Sequence, residues 1–290
     1  MSSKSLPFKV QMAYSFGMMG WSILINLISV ILVYLYLPPE NSGLPTLISQ
    51  IAIFGIFNAI ALITAGGRMV DAIYDPFIAQ FSDSSKNPKG RRIPLMKLAI
   101  IPSFVFCFLV FYPIKNTVSD VNIIWLVLTL ICFYISTTTY IIPYNALLPE
   151  LAHSSEDKVK MATAQSVGYV VGIGIASNAF NLSALFEQHL HISKIAGIQC
   201  TVFALALLAA IFMAITVFSI DESKFIKTKP VSVKMKIALQ QTLRNKNFLL
   251  FIVADFSYFI AVTIITSGLI YFLTVLLGLP ESLGNVAFKT

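Results

Sequence analysis

Asp71 and Asp75 stand one helical turn apart in an otherwise apolar stretch, Gly67-Arg68-Met69-Val70-Asp71-Ala72-Ile73-Tyr74-Asp75-Pro76. Between positions 41 and 79 the only charged side chains are these two carboxylates and Arg68. A charge near the centre of a bilayer costs roughly 2.5–3.5 kcal/mol on insertion scales, so charges kept in such a stretch signal a function. At 100° per residue the three fall within a helical stripe of about 60°. Oxygen ligands of this kind hold hard cations such as sodium, and Pro76 frees one more by denying an N–H to the carbonyl of Ala72. Alternatively, two carboxylates a turn apart repel, so that one holds a proton and the pair titrates as a coupled system. Both chemistries drive ion-coupled transport. A plain structural ion pair with Arg68 is the competing reading, but one arginine cannot neutralise both acids.

The elements that position these residues must be membrane helices. Hydrophobic residues make up 57% of the 290-residue chain and charged ones 11%, against roughly 25% charged in a soluble domain. The net charge of +7 sits in short segments between apolar runs, which points to topology and away from nucleic acid. Seven runs reach the roughly 20 residues a span requires: 12–37, 47–81, 93–114, 121–148, 162–186, 195–220 and 248–277. With the N-terminus in the cytoplasm, sixteen Lys and Arg lie inside against Lys115, Lys194 and Lys289 outside. At 1.5 Å per residue, counting from Asp83 at the inner end, Asp75 lies about 12 Å and Asp71 about 18 Å deep. Asp71 is then near the midplane, where transporters bind. The residues divide into a six-helix bundle (1–220), a basic cytoplasmic linker (221–247) and the start of a second bundle (248–290), as in a twelve-span protein cut short. Cys107, Cys132 and Cys200 fall inside apolar runs and read as reduced core residues. Neither a nucleophile–base pair nor a metal cluster is evident, so no enzyme is expected. The N-terminus does not read as a cleavable signal peptide.

Further candidates lie on other spans. The fourth ends Thr137-Thr138-Thr139-Tyr140-Ile141-Ile142-Pro143-Tyr144-Asn145-Ala146-Leu147-Leu148-Pro149-Glu150. Its threonines can face a cavity beside a proline-freed carbonyl, and Tyr140, Tyr144 and Asn145 offer rings, hydroxyls and an amide to a polar solute. Asn26 and Tyr14 on the first span are of the same sort, while tyrosines also serve as helix glue. Arg91 and Arg92 follow a tight basic turn after Asp83, and Glu150 is their expected partner, in pairs that form when the inside is closed. Gly168, Gly172 and Ala176 recur every fourth residue on the fifth span and let a backbone approach closely.

Taken together, Asp71-Ala72-Ile73-Tyr74-Asp75-Pro76, Ser82-Asp83, Gly90-Arg91-Arg92-Ile93-Pro94 and Pro143-Tyr144-Asn145-Ala146-Leu147-Leu148-Pro149-Glu150 resemble the glycoside–pentoside–hexuronide:cation symporters. This branch of the major facilitator superfamily includes melibiose permease. The resemblance implies an all-α membrane protein of two six-helix bundles, alternating access, and sugar uptake driven by sodium or a proton, with no cofactor. It implies that Asp71, Asp75 and Thr138 bind the cation, with Arg68 beside them. Tyr74 replaces an asparagine of melibiose permease, which weakens the case for sodium. Ser22 and Ile141 stand where that permease has its galactoside-binding acids, and Asn145 where it has its sugar-stacking tryptophan, so a galactoside is not the expected cargo. A bacterial inner-membrane sugar or glycoside symporter is the resulting expectation. The alternatives are a symporter of the same fold for a lysophospholipid or other amphiphile, or a truncated membrane protein that transports nothing.

Overall fold

A computed structural model of the chain describes residues 6–38, 42–49, 59–85, 87, 90–224, 240, 242 and 244–271. Outside the described set lie the side chain of Arg68, most of the basic linker, residues 50–58 of the second expected span and the last span beyond position 271. The described residues are mostly helical and contain no strand. They fall into two compact units, Met1–Ser232 and Val233–Thr290. The first holds α1 (Phe8–Tyr36), α2 (Ala59–Ser84), α3 (Ile93–Val110), α4 (Asp120–Leu151), α5 (Ser155–Ser177), α6 (Ala179–Leu190) and α7 (Lys194–Ser219), then a 3-10 turn at Glu222–Lys224. The second holds α8 (Lys246–Tyr271). Among the described residues, five helical stretches are long and apolar enough to cross a membrane: α1, α3, α4, α5 with α6, and α7.

Helix ends follow local sequence. Ser119 accepts from the Val121 N–H ahead of α4, Ser154 from Asp157 ahead of α5, and Ser193 from Ala196 ahead of α7. Each satisfies an N–H that the first turn would otherwise leave unpaired. Prolines do not end the helices: α2 continues through Pro76 and α4 through Pro143 and Pro149. The interruption falls elsewhere, because the fifth span, expected as one helix over 162–186, is parted into α5 and α6 at Asn178. Its N–H bonds back to the carbonyls of Ile175 and Ala176, and its side-chain amide donates to the Gly174 carbonyl at 2.8 Å. An asparagine that binds the turn behind it competes with the helix in just this way.

Inside the first unit, α1 packs between α5 and α7, α3 packs on α4 and α7, and α2 packs on α4. The small-residue stripe of α5 does what its spacing predicts. A Cβ at Gly168 would stand 2.3 Å from the carbonyl oxygen of Ser15, so only glycine allows α1 this close. Side-chain hydroxyls then join helices through backbone carbonyls, as membrane interiors favour: Thr216 Oγ1 donates to Ala13 O at 2.6 Å and Tyr36 Oη to Val110 O at 2.7 Å.

Candidate functional site

Four hydroxyl residues follow one another on α4, Ser136 to Thr139, and packing sorts them. Ser136, Thr137 and Thr139 each donate to a carbonyl of the preceding turn of their own helix, at 2.7, 3.0 and 2.6 Å. Thr138 alone reaches across to α2, where its Oγ1 donates to Asp71 Oδ1. The same hydroxyl is a hydrogen-bond neighbour of Asp75. Asp71 and Asp75 are both half-buried, and Thr138 is buried. Two carboxylates and one hydroxyl thus share a small site on the α2–α4 contact, a donor set suited to a hard monovalent cation or a proton. Tyr74 turns instead into an apolar groove of about 550 Å³ with Phe77 of α2, Leu98 of α3 and Ile135 and Thr139 of α4.

The proposed solute contacts divide in two. Tyr140 and Tyr144 are fully buried and are committed to packing. Tyr144 stacks on Tyr14 with ring centroids 4.2 Å apart; Tyr144 Oη donates to Tyr14 O at 2.7 Å and Tyr14 Oη to Tyr144 O at 3.1 Å. Tyr140 Oη donates to Met213 O at 3.4 Å. In this conformation neither presents a free group to a solute. Ser22 is likewise buried, donating to Tyr169 O at 2.8 Å, and Asn26 donates back to Ser22 O at 2.8 Å. Asn145 is exposed, and its Oδ1 accepts from Gln165 Nε2 of α5 at 2.9 Å. Gln165 escapes a reading of the fourth span, because only helix packing brings it to Asn145.

At the end of α2, the sequence candidates Asp83, Arg91, Arg92 and Glu150 come together. Glu150 Oε1 accepts from Arg91 Nη2 at 2.9 Å and Arg92 Nη2 at 3.1 Å. Arg92 Nη2 also lies 2.5 Å from Asp83 Oδ1, while its Nη1 donates to Ser82 Oγ at 2.9 Å. These bonds tie α2, α3 and α4 within one unit. They are therefore bonds internal to one bundle, where the sequence suggested pairs that break as the inside opens.

A third acid was not among the candidates. Glu222, 1% exposed, caps α3 from beyond the end of α7. Its carboxylate accepts from the N–H groups of Arg91 (2.6 Å), Arg92 (3.0 and 2.9 Å) and Ile93 (2.8 Å). A negative group at three N-terminal amides satisfies them and complements the helix dipole. Gly90 makes room for it. Its φ is +114°, and a Cβ there would stand 2.2 Å from Glu222 Oε2. The only hint in the sequence is an acid pair, Asp221-Glu222, opening a segment otherwise rich in lysine.

The amino-acid sequence also matches known proteins. The profile of the MFS/sugar transport protein family matches residues 13–289. An uncharacterized symporter of Synechocystis is 28% identical over 56% of this chain and 28% of its own length. The isoprimeverose transporter of Lactiplantibacillus pentosus is 22% identical over 92% of the chain and 53% of its own length. The raffinose carrier protein of Pediococcus pentosaceus is 23% identical over 78% of the chain and 36% of its own length. The chain thus spans about half the length of these relatives, or less.

Proposed function

We propose, from the premise that this chain belongs to the MFS/sugar transport protein family, that it carries the cation site and part of the sugar path of a cation-coupled sugar symporter. One observation carries the coupling: of four successive hydroxyls on α4, Thr138 alone leaves its own helix, and it goes to the carboxylate pair. One arginine cannot neutralise two acids in a bilayer, and an uncompensated carboxylate there is costly, so a sodium ion or a proton relieves that cost. Binding the ion fixes α2 against α4, and the sugar path gains from that order; the two ligands are coupled to the same degree in both directions. Two relatives named for isoprimeverose and raffinose support a saccharide as cargo. Asn145 and Gln165 are the polar groups on α4 and α5 best placed to meet it. The positive-inside distribution supports a plasma-membrane protein with its N-terminus in the cytoplasm. The cargo crosses chemically unchanged, so no enzymatic step is assigned.

The test uses the full-length protein in proteoliposomes, with labelled isoprimeverose and raffinose as probes. Wild type accumulates a probe against its gradient when sodium or protons flow inward, and Asp71→Cys does not. Normal concentrative uptake by Asp71→Cys overturns the assignment.

A further inference from the structure

Two contacts between α2 and α4 keep the same spacing in the sequence. Asp71 meets Thr138, and one turn earlier Gly67 meets Tyr134. The helices therefore run parallel and in register across the site. At the upper contact there is no slack. A Cβ on Gly67 would stand 2.5 Å from Cε2 and 2.8 Å from Cδ2 of Tyr134. The ring is 1% exposed and belongs to the buried core, so it has little room to swing away. Its neighbour Gly66 differs: a Cβ there meets nothing within 4 Å among the described residues.

We propose that Gly67 and Tyr134 form a steric spacer that sets the distance at which Thr138 reaches Asp71, making both of them positioning residues of the cation site. This rests on the symporter reading above. Restoring ordinary contact around a methyl at position 67 requires α2 and α4 to part by roughly 1 Å. A hydroxyl–carboxylate bond has a working range of about 2.5–3.0 Å, so a separation of that size takes Thr138 out of it. The carboxylates remain, but the ligand set opens. The damage is local, since alanine is the better helix former and α2 itself gains from the change.

The experiment is cation-dependent saccharide uptake by the full-length protein in proteoliposomes, titrated with sodium chloride and, separately, with pH. Gly67→Ala raises the cation concentration for half-maximal uptake about tenfold, the lower range for loss of a supporting group around a bound metal. At saturating cation the half-saturating saccharide concentration stays within about twofold of wild type, because a filled cation site returns the sugar path to its cation-bound order. Gly66→Ala, the same change one position away, leaves both values as in wild type. In a Tyr134→Leu background, adding Gly67→Ala shifts the cation value less than about twofold, as a double-mutant cycle requires of a direct contact. If Gly67→Ala fails to reach the membrane, Tyr134→Trp presses on the same contact from the other side and is read in the same way. A Gly67→Ala protein indistinguishable from Gly66→Ala overturns the spacer, as does an equal shift in the Tyr134→Leu background. Wild type with no dependence on sodium or pH overturns the symporter reading itself, and the spacer with it.

Discussion

Thr137, Thr138 and Thr139 are chemically the same residue three times over, and what separates them is the rotation of α4 against α2. Replacing Thr138 with Val removes the hydroxyl that, among the described residues, is given to the carboxylates, and the cation value for half-maximal uptake rises about tenfold. Thr137→Val removes only a bond to its own helix and leaves that value unchanged, measured in the same titration. Tyr144 and Asn145, neighbours in sequence, part company similarly. Tyr144→Phe loses the bond to Tyr14 O and lowers thermal stability by about 0.6–1.7 kcal/mol, the range for interhelical bonds in membranes. Its saccharide half-saturation is unchanged, whereas Asn145→Ala raises it; equal effects of the two on uptake would remove Asn145 from the sugar path. The carboxylate pair was legible in the sequence because a charge in an apolar run is an energetic anomaly that needs no structure to detect. Which threonine faces it was not legible from spacing, and entered only through resemblance. The tyrosines stay ambiguous in the sequence because a ring with a hydroxyl suits a solute and a helix interface equally well.

Elements are joined at the far end of α2 by acids on two arginines and three amides. Glu222→Ala takes the acceptor from the part-buried N–H groups of Arg91 and Ile93 and from the buried N–H of Arg92, at about 1–3 kcal/mol for an unsatisfied buried group. Its melting temperature in detergent falls well below that of wild type. Glu222→Gln keeps one acceptor oxygen and falls less, and Gly90→Ala, which drives a methyl into the carboxylate, behaves like Glu222→Ala. A Glu222→Ala protein as stable as wild type would show that water replaces the cap at no cost. Charges at helix ends were readable as partners from their positions alone, which is why Glu150 was matched to Arg91 and Arg92. Glu222 was not, because its partners are backbone amides, which every residue possesses and no motif marks. The division of the fifth span was missed for a related reason: Asn178 ends α5 through bonds to its own preceding turn, inside a run that stays apolar on both sides.

At the scale of the whole molecule, apolar run lengths expose the helices because bilayer thickness fixes how long they must be. Which helix touches which is invisible there, since lipid and protein interiors are equally apolar. Sidedness is testable in a protein whose three cysteines, Cys107, Cys132 and Cys200, have been replaced. A cysteine at Ser84 or Ser223, both exposed, reacts with an impermeant maleimide only in inside-out vesicles. One at Asn116, also exposed, reacts only in right-side-out vesicles, and the reverse pattern would invert the topology. The cap on α3 also has a history. Glu222 follows Arg92 by 130 residues, and at about 5–20 residues per second the ribosome needs roughly 6–26 s to make that stretch. Through that interval α3 enters the membrane with its first amides held by water, while α4, α5, α6 and α7 are still being made. The 3-10 turn after α7 then delivers the acid that fastens the first unit, so order of synthesis becomes order of assembly.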